Sequence, residues 1–346
     1  MQGTGYFTHA QCRKHEMGAG HPECPERLDA IDDRLLLTGV ADALLQRQAP
    51  EAPLADLELA HDRMHLASIR GLSEQVAEEV LAGGPDHLQI DPDTAVNAHT
   101  WAAALRAAGA VIAATDAVMA GEMENAFCAV RPPGHHACRR QAMGFCFFNN
   151  VAVAAKYALE RHGLRRVAIV DFDVHHGNGT EDIVAGDERI LMCSFYQHPF
   201  YPYPEGGWSN APNLVNLPVP AYTRGMDIRE LIDDDLHLGV HAGLHPRVVA
   251  TDVDRAGIDL QIGRVTAAAG VWKDREFSHA SVQFLAGLRI DTHLHRLANT
   301  HLFDLRLVHI HLHPHLAHVR NREHGLAEAD GRPFLDRVVV VVVGTG

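Results

Sequence analysis

The segment that decides the fold is VAIVDFDVHHGNGT, residues 167–180, in which an apolar run passes directly into a polar turn. Residues 167–174, VAIVDFDV, predict a buried strand, because the VAIV at its start is too apolar for an edge strand. A buried strand that ends in a polar turn is typical of the carboxyl edge of a parallel sheet, where α/β proteins place their ligand sites.

The segments around this strand predict alternating helices and strands. We expect helices over residues 98–120 and 147–162, each followed by a glycine that ends it, and strands over 126–130 and 189–196. Strands that alternate with helices indicate an α/β fold in which helices cover a parallel sheet.

Polar residues at the end of the strand indicate a metal site. Asp173 and His175 are two positions apart, so both side chains can converge on one ion if the strand conformation ends near His175. A carboxylate with an imidazole suits zinc or another borderline divalent metal. The alternative is a solvated acidic turn, but two buried carboxylates, Asp171 and Asp173, need a cation or strong donors to stay ionised.

A second polar motif is RPPGHHA, residues 131–137. Two prolines and a glycine stiffen this loop and hold His135 and His136 in fixed directions. A rigid histidine pair beside a metal site suits general acid–base hydrolysis. The alternative is a polar surface loop, and the position of the motif after a predicted buried strand favours the functional interpretation.

The composition disfavours several classes of partner. The net charge of −14 disfavours nucleic acid and anionic membranes, and no apolar run reaches the length needed to cross a bilayer. The six cysteines form no C-x-x-C pair, and the N-terminus lacks the basic-then-apolar order of a signal peptide. We therefore expect a reduced cytoplasmic protein, and the 26 histidines are the compositional anomaly.

Five motifs occur in the order and spacing of one known family. They are HPECPERL (21–28), RPPGHHA (131–137), GFCFFNN (144–150), DFDVHHGNGT (171–180) and SFYQHPFYP (194–202). Over residues 5–232 the sequence resembles the histone deacetylase family, in particular its class II-like bacterial deacetylases and acetylpolyamine amidohydrolases. The resemblance implies a three-layer arginase/deacetylase-like α/β fold with a central parallel sheet of about eight strands. It also implies zinc-dependent hydrolysis of acetyl-lysine or acetylpolyamine amides.

The resemblance assigns catalytic roles to residues of these motifs. Asp173 and His175 are similar to two of three zinc ligands, with one zinc per chain. His135 and His136 resemble the histidine pair at the reacting water, and His136 resembles the general base. In the same pattern Asp171 accepts a hydrogen bond from His135, and Asn178 lies near His136.

Further roles follow from the same resemblance. Phe145, with Gly144 beside it, and Tyr201 match the aromatic walls of the acyl-lysine tunnel, and Arg27 matches an arginine near an inner cavity for acetate. A structural potassium ion is implied at five residues: Asp171, Asp173, His175, Ser194 and Phe195.

Residues 233–346 depart from the family pattern. The third zinc ligand would come from Asp259, although the AGID sequence around it matches the family poorly, and no tyrosine follows Tyr222 to polarise the substrate carbonyl. We interpret residues 1–346 as one domain with a divergent last third. Our hypothesis for that third is a gene read out of frame after about residue 232, which translation of the coding DNA in all three frames would test.

Two other functions stay open beside the deacetylase. One is a non-catalytic protein that binds acyl-lysine or acylpolyamine, which the missing tyrosine favours. The other is a dimanganese arginase-like hydrolase, whose metal pair requires more bridging Asp and His ligands than DFDVH provides. The expected partner is a small-molecule or peptide acetyl-amine substrate, without nucleic acid or membrane, and assembly into a homo-oligomer stays open.

Overall fold

A computed structural model describes residues 3–203, 209–225 and 227–228, together with four strands further along the chain. Six helices are described: α1 (Glu26–Leu37), α2 (Leu54–Leu57), α3 (Arg63–Leu81), α4 (Thr100–Met119), α5 (Asn150–His162) and α6 (Asn178–Val184). The first eight strands are β1 (Thr4–Thr8), β2 (Leu44–Gln48), β3 (His87–Gln89), β4 (Ala95–Asn97), β5 (Asn125–Cys128), β6 (Val167–Asp171), β7 (Ile190–Gln197) and β8 (Leu214–Val219). The later four are β9 (Ser281–Phe284), β10 (Leu288–Asp291), β11 (Leu305–Ile310) and β12 (Val338–Val343).

The central sheet is mixed rather than wholly parallel. Its strand order is β2-β1-β5-β11-β12-β6-β7-β8. The pairs that β1, β2, β5, β6, β7 and β8 form with one another are all parallel, which confirms the predicted α/β class. Strand β11 runs antiparallel to both β5 and β12, so the prediction of a purely parallel sheet is wrong at this strand. Antiparallel neighbours need no crossover helix between them, unlike the parallel pairs.

Two of the helices that cover the sheet, α4 and α5, lie within the predicted ranges. Helix α4 packs against β1 and β5, and α5 packs against β6 and against α4. Gly163 follows α5 in the left-handed conformation, at φ 65°, which is the predicted end of that helix.

Helix α4 corrects one expectation about membranes. Within the described ranges it alone has the length and hydropathy of a membrane span, with a mean hydropathy of 1.4. Seventy-two per cent of that apolar window is buried inside the protein, as in the core helix of a folded domain. Small alanine side chains let the helix pack closely on the strands, so its apolar character serves the core.

Strand β6 is shorter than predicted and ends at Asp171 rather than at residue 174. The carboxylates of Asp171 and Asp173 accept the backbone N–H groups of Asp173 and His175, at 3.1 and 2.8 Å. Such bonds, made two residues further along the chain, favour a turn over continued strand pairing. The site residues therefore lie on a polar turn at the carboxyl end of β6.

The valine-rich strand β12 occupies the interior of the sheet. It pairs with β11 on one side and runs parallel to β6 on the other, with Val343 opposite Asp171. An uncharged β-prone segment avoids exposure of its edges in this position.

Candidate active site

The carboxylate of Asp171 connects the strand-end turn to the histidine loop. It is fully buried, and its Oδ2 accepts a hydrogen bond from Nδ1 of His135 at 3.0 Å while Oδ1 accepts the N–H of Asp173. Gly177 passes so close that an added Cβ would lie 2.3 Å from Asp171 Oδ2. Only glycine fits at that position, so the HHGNG turn is shaped around this carboxylate.

Asp173 and His175 bring two metal-type donor atoms together. Oδ1 of Asp173 lies 3.1 Å from Nδ1 of His175, which allows both atoms to contact one ion at bond lengths of about 2.0–2.2 Å. Burial by itself raises the pKa of Asp173, but the nearby charge of His135 and the hydrogen bonds from His175 lower it below its usual range. The carboxylate is therefore ionised and ready to bind a cation.

His135 carries a positive charge in this arrangement. Burial by itself lowers its pKa, but the charges of Asp171 and Asp173 and the hydrogen bond to Asp171 outweigh burial and raise the pKa of His135 to about 9. The ring is 5% exposed, so the ion pair with Asp171 lies almost wholly inside the protein.

His136 is in the opposite state. Its burial and the neighbouring charge of His135 lower its pKa well below 6.5, so the ring is neutral near pH 7. Nδ1 of His136 lies 2.7 Å from Oδ1 of Asn178, and an amide oxygen requires the proton on Nδ1. Nε2 is left with its lone pair and makes no hydrogen bond to the described residues, as a general base requires.

A tight turn at Gly144 and Phe145 passes close to the ring of His136. Both residues have positive φ, 54° and 69°, and an added Cβ on Gly144 would lie 2.5 Å from the His136 ring. The N–H of Phe145 donates to Oγ1 of Thr94, and its ring meets His21 edge-on at 4.7 Å. These contacts hold an otherwise strained conformation, as expected where position matters for function.

Two further rings border the histidines. Tyr201 meets His136 edge-on with ring centroids 5.1 Å apart, and Phe200 stacks on His175 at 4.8 Å. Burial raises the pKa of Tyr201, so its hydroxyl stays protonated. The structure thus brings Tyr201 to His136, and Phe145 follows Gly144, which lies against the same histidine. Phe200 on His175 is a further ring, to which the sequence analysis gave no role.

Arg27 lies at one end of a buried charge cluster. It donates to Glu23 at 3.2 Å, and Glu23 in turn accepts two hydrogen bonds from Arg131, at 2.5 and 2.6 Å. Arg131 is fully buried and also donates to the carbonyls of Cys12 and His15. Glu23 and Arg131 belong to quoted motifs but had no role in the sequence analysis, because only the fold brings positions 108 residues apart into contact.

Ser194 lies across the sheet from Asp171 and has a buried hydroxyl. Strand β7 pairs Ser194 with Asp171, and the buried Oγ of Ser194 has no hydrogen-bond partner among the described residues. A buried hydroxyl without a partner is costly, so an oxygen-binding cation there would satisfy it. Phe195, the next residue on β7, is also buried.

The third zinc ligand of the sequence analysis, Asp259, lies outside the described residues. Within the described ranges, no group of three or more carboxylate, imidazole or thiolate side chains is arranged to hold a metal ion. Asp173 and His175 are the candidate donor pair within those ranges.

Comparisons with known proteins place these residues in a wider context. The family described as histone deacetylase domain matches residues 21–263. The histone deacetylase-like amidohydrolase of Pseudomonas aeruginosa is 39% identical over 214 residues, which cover 60% of this chain and 53% of that protein. The polyamine deacetylase HDAC10 of Homo sapiens is 38% identical over 210 residues, which cover 58% of this chain and 30% of that protein.

A solved structure agrees with these matches. The crystal structure of the HDA15 HD domain superposes on this chain with a TM-score of 0.56 at 35% sequence identity. The match covers 63% of this chain and 62% of the HDA15 chain. The match to the two relatives spans only 53% and 30% of their own lengths.

Proposed function

Because this chain belongs to the histone deacetylase family, we propose that it is a zinc-dependent amidohydrolase that removes acetyl groups from acetyl-lysine or acetylpolyamine substrates. One observation carries the proposal. The rings of His135 and His136 lie side by side with centroids 4.0 Å apart, next to the donor pair of Asp173 and His175.

The donor chemistry of the turn fits zinc. A carboxylate oxygen and an imidazole nitrogen are zinc's usual oxygen and nitrogen ligands, and Asp173 and His175 would hold it. Asp259 is proposed as the third ligand, and it falls inside the residues that the family match covers. Zinc supplies Lewis acidity toward the acetyl carbonyl and toward water. One zinc per chain is expected.

The histidines then have separate tasks. His136 accepts the proton of the attacking water at Nε2, because its Nδ1 is engaged by Asn178. His135 stays protonated through Asp171 and opposes the negative charge that develops on the carbonyl oxygen.

The aromatic rings and the charge favour an amine-bearing substrate. Phe145 and Tyr201 would pack on the methylene stem of an acetylated lysine or polyamine, with Gly144 leaving room beside His136. Arg27 would lie toward the cavity for the acetate product. The net charge of −14 attracts a cationic substrate over a distance.

We also propose the structural potassium ion. Its ligands would come from Asp171, Asp173, His175, Ser194 and Phe195, and the unpartnered Oγ of Ser194 supports this site. A cation there would offset the two buried carboxylates of the turn.

The finer features of the architecture belong to the same proposal. They are one domain over residues 1–346, the three-layer form of the fold with about eight strands, and a cytoplasmic location. The non-catalytic binding protein and the arginase-like hydrolase are not favoured by the family match.

The test is turnover of an acetyl-lysine peptide and of an acetylated polyamine by the purified full chain with zinc. We expect hydrolysis above that of zinc in buffer, and we expect His136→Gln to lower kcat by about 10²–10⁴-fold. His162→Gln on α5, which is bonded to Asp116, is the matched control. Equal rates for His136→Gln and the control would refute the proposed base.

A further inference from the structure

The amide of Asn178 makes an unusual set of hydrogen bonds. Oδ1 lies 2.7 Å from Nδ1 of His136, while Nδ2 donates to two sulfur atoms, Sδ of Met143 at 3.4 Å and Sγ of Cys138 at 3.7 Å. Both sulfur-bearing residues lie within the loop that joins the histidine pair to Phe145.

These sulfur atoms determine which way the amide faces. A thioether has no hydrogen, so Met143 can only accept, and the amide must direct its NH₂ group toward it. The thiol of Cys138 donates its own hydrogen to the backbone carbonyl of His136, at 3.7 Å, and so offers Asn178 only lone pairs.

The bonds form a closed ring with one consistent direction. Nδ1–H of His136 donates to Asn178, Nδ2–H of Asn178 donates to Cys138, and Sγ–H of Cys138 donates back to the carbonyl of His136. If the amide turned over, its NH₂ group would face Nδ1 of His136. The ring proton would then move to Nε2, which would remove the lone pair that a base needs.

We propose that Cys138 and Met143 are positioning residues that orient the amide of Asn178 and thereby hold His136 in the tautomer with its proton on Nδ1. The proposal rests on the proposed role of His136 as general base. It assigns a function to two sulfur-bearing side chains that the mechanism does not otherwise use.

The Asn178→Asp variant distinguishes an effect of the sulfur atoms on amide orientation from an effect on the packing of the loop. A carboxylate has two equivalent oxygens and no wrong orientation, so Asn178→Asp makes the sulfur acceptors unnecessary. In the native background, Cys138→Ala with Met143→Leu should lower kcat about tenfold and change KM by less than about twofold. In the Asn178→Asp background the same pair should change kcat by less than about twofold.

The controls are Cys24→Ala and Met123→Leu, which are outside the ring of bonds. Both should leave kcat within about twofold of the native value. An equal loss of kcat from the sulfur variants in both backgrounds would show ordinary structural damage and overturn the proposal.

A second measurement does not depend on turnover. ¹⁵N NMR of the histidine rings, with His136 assigned from the His136→Gln spectrum, should show the Nδ1–H tautomer in the native chain. The Cys138→Ala/Met143→Leu chain should show substantial Nε2–H tautomer. An unchanged tautomer overturns the proposal. If the native chain shows no deacetylation at all, the proposed function fails, and the NMR result alone then decides the positioning role.

Discussion

At the residue scale, Asp171 explains why adjacent histidines hold different charges. Its carboxylate faces His135, whose pKa rises to about 9, while the resulting charge on His135 helps to lower the pKa of His136. Asn178, a neutral amide, faces His136 and gives it no compensating charge. One acidic and one amide partner therefore divide the pair into a cation and a neutral base.

The metal prediction belongs to this scale. Asp173→Asn should remove bound zinc, because only His175 would remain of the donor pair at the turn. Elemental analysis of the native chain should find no more than about one tightly bound zinc per chain, and much less in the variant.

The control for zinc binding is Asp182→Asn, which changes a carboxylate bonded to the N–H of Arg139. The alternating histidines 309, 311, 313 and 315 are replaced in every chain tested, because closely spaced histidines can bind added zinc without forming the proposed site. Full zinc in Asp173→Asn would contradict the assigned site.

At the scale of elements, buried polar side chains fix the loops that carry the site. His61 accepts the N–H of Asn149, which caps α5, and donates to the carbonyl of Cys138 in the histidine loop. Arg131 binds Glu23 on one side and begins the RPPGHH segment on the other. Each of these side chains connects a loop of the candidate site to a distant segment.

Acid should weaken the protein through His61. Burial and the neighbouring His65 lower the pKa of His61 to about 3, against about 6.5 when unfolded. Between these values only the unfolded chain binds the proton, so stability is complete above pH 6.5 and falls as the pH drops. The expected loss between pH 7 and 5 is about 2 kcal/mol, measured by urea unfolding. His61→Gln should flatten this dependence, and an unchanged slope would contradict the assignment.

The buried ion pair predicts a second effect on stability. Arg131→Met should lower the free energy of unfolding by about 3–5 kcal/mol, because it leaves the Glu23 carboxylate buried with weaker compensation. Adding Glu23→Leu removes that charge, so the double variant should be less destabilised than the sum of the single changes. Arg70→Met, which breaks an exposed pair with Glu74, should change stability by at most about 0.5 kcal/mol. If the losses in unfolding free energy of Arg131→Met and Glu23→Leu simply add in the double variant, Arg131 and Glu23 are not coupled.

At the scale of the whole molecule, the site combines residues from much of the chain. Glu23, Arg131, the histidine loop and the β6 turn meet at one edge of the sheet, and the sequence provides no tyrosine after Tyr222 to assist the carbonyl. A missing oxyanion donor typically costs about 10²–10³-fold in rate.

We therefore expect slow deacetylation by this chain. With zinc present, kcat on an acetyl-lysine peptide or an acetylated polyamine should be about 10²–10³-fold below that of a family enzyme that has the tyrosine. Measurement of both enzymes on the same substrate checks this. Equal rates would mean that another group has taken the tyrosine's place.

The sequence by itself determined the α/β class, helices α4 and α5, and the pairing of His135 with Asp171 and of His136 with Asn178. The α/β class and the two helices follow from local periodicity, and the two pairings follow from the resemblance of the quoted motifs to the histone deacetylase family. The antiparallel direction of β11, the Glu23–Arg131 pair, the ring of Phe200 on His175 and the sulfur contacts of Asn178 were decided only by the tertiary structure. Each depends on segments that are distant in sequence or on side-chain directions within a loop. Long-range contacts and side-chain directions leave no periodic signal in the sequence, because the packing of the whole fold selects them.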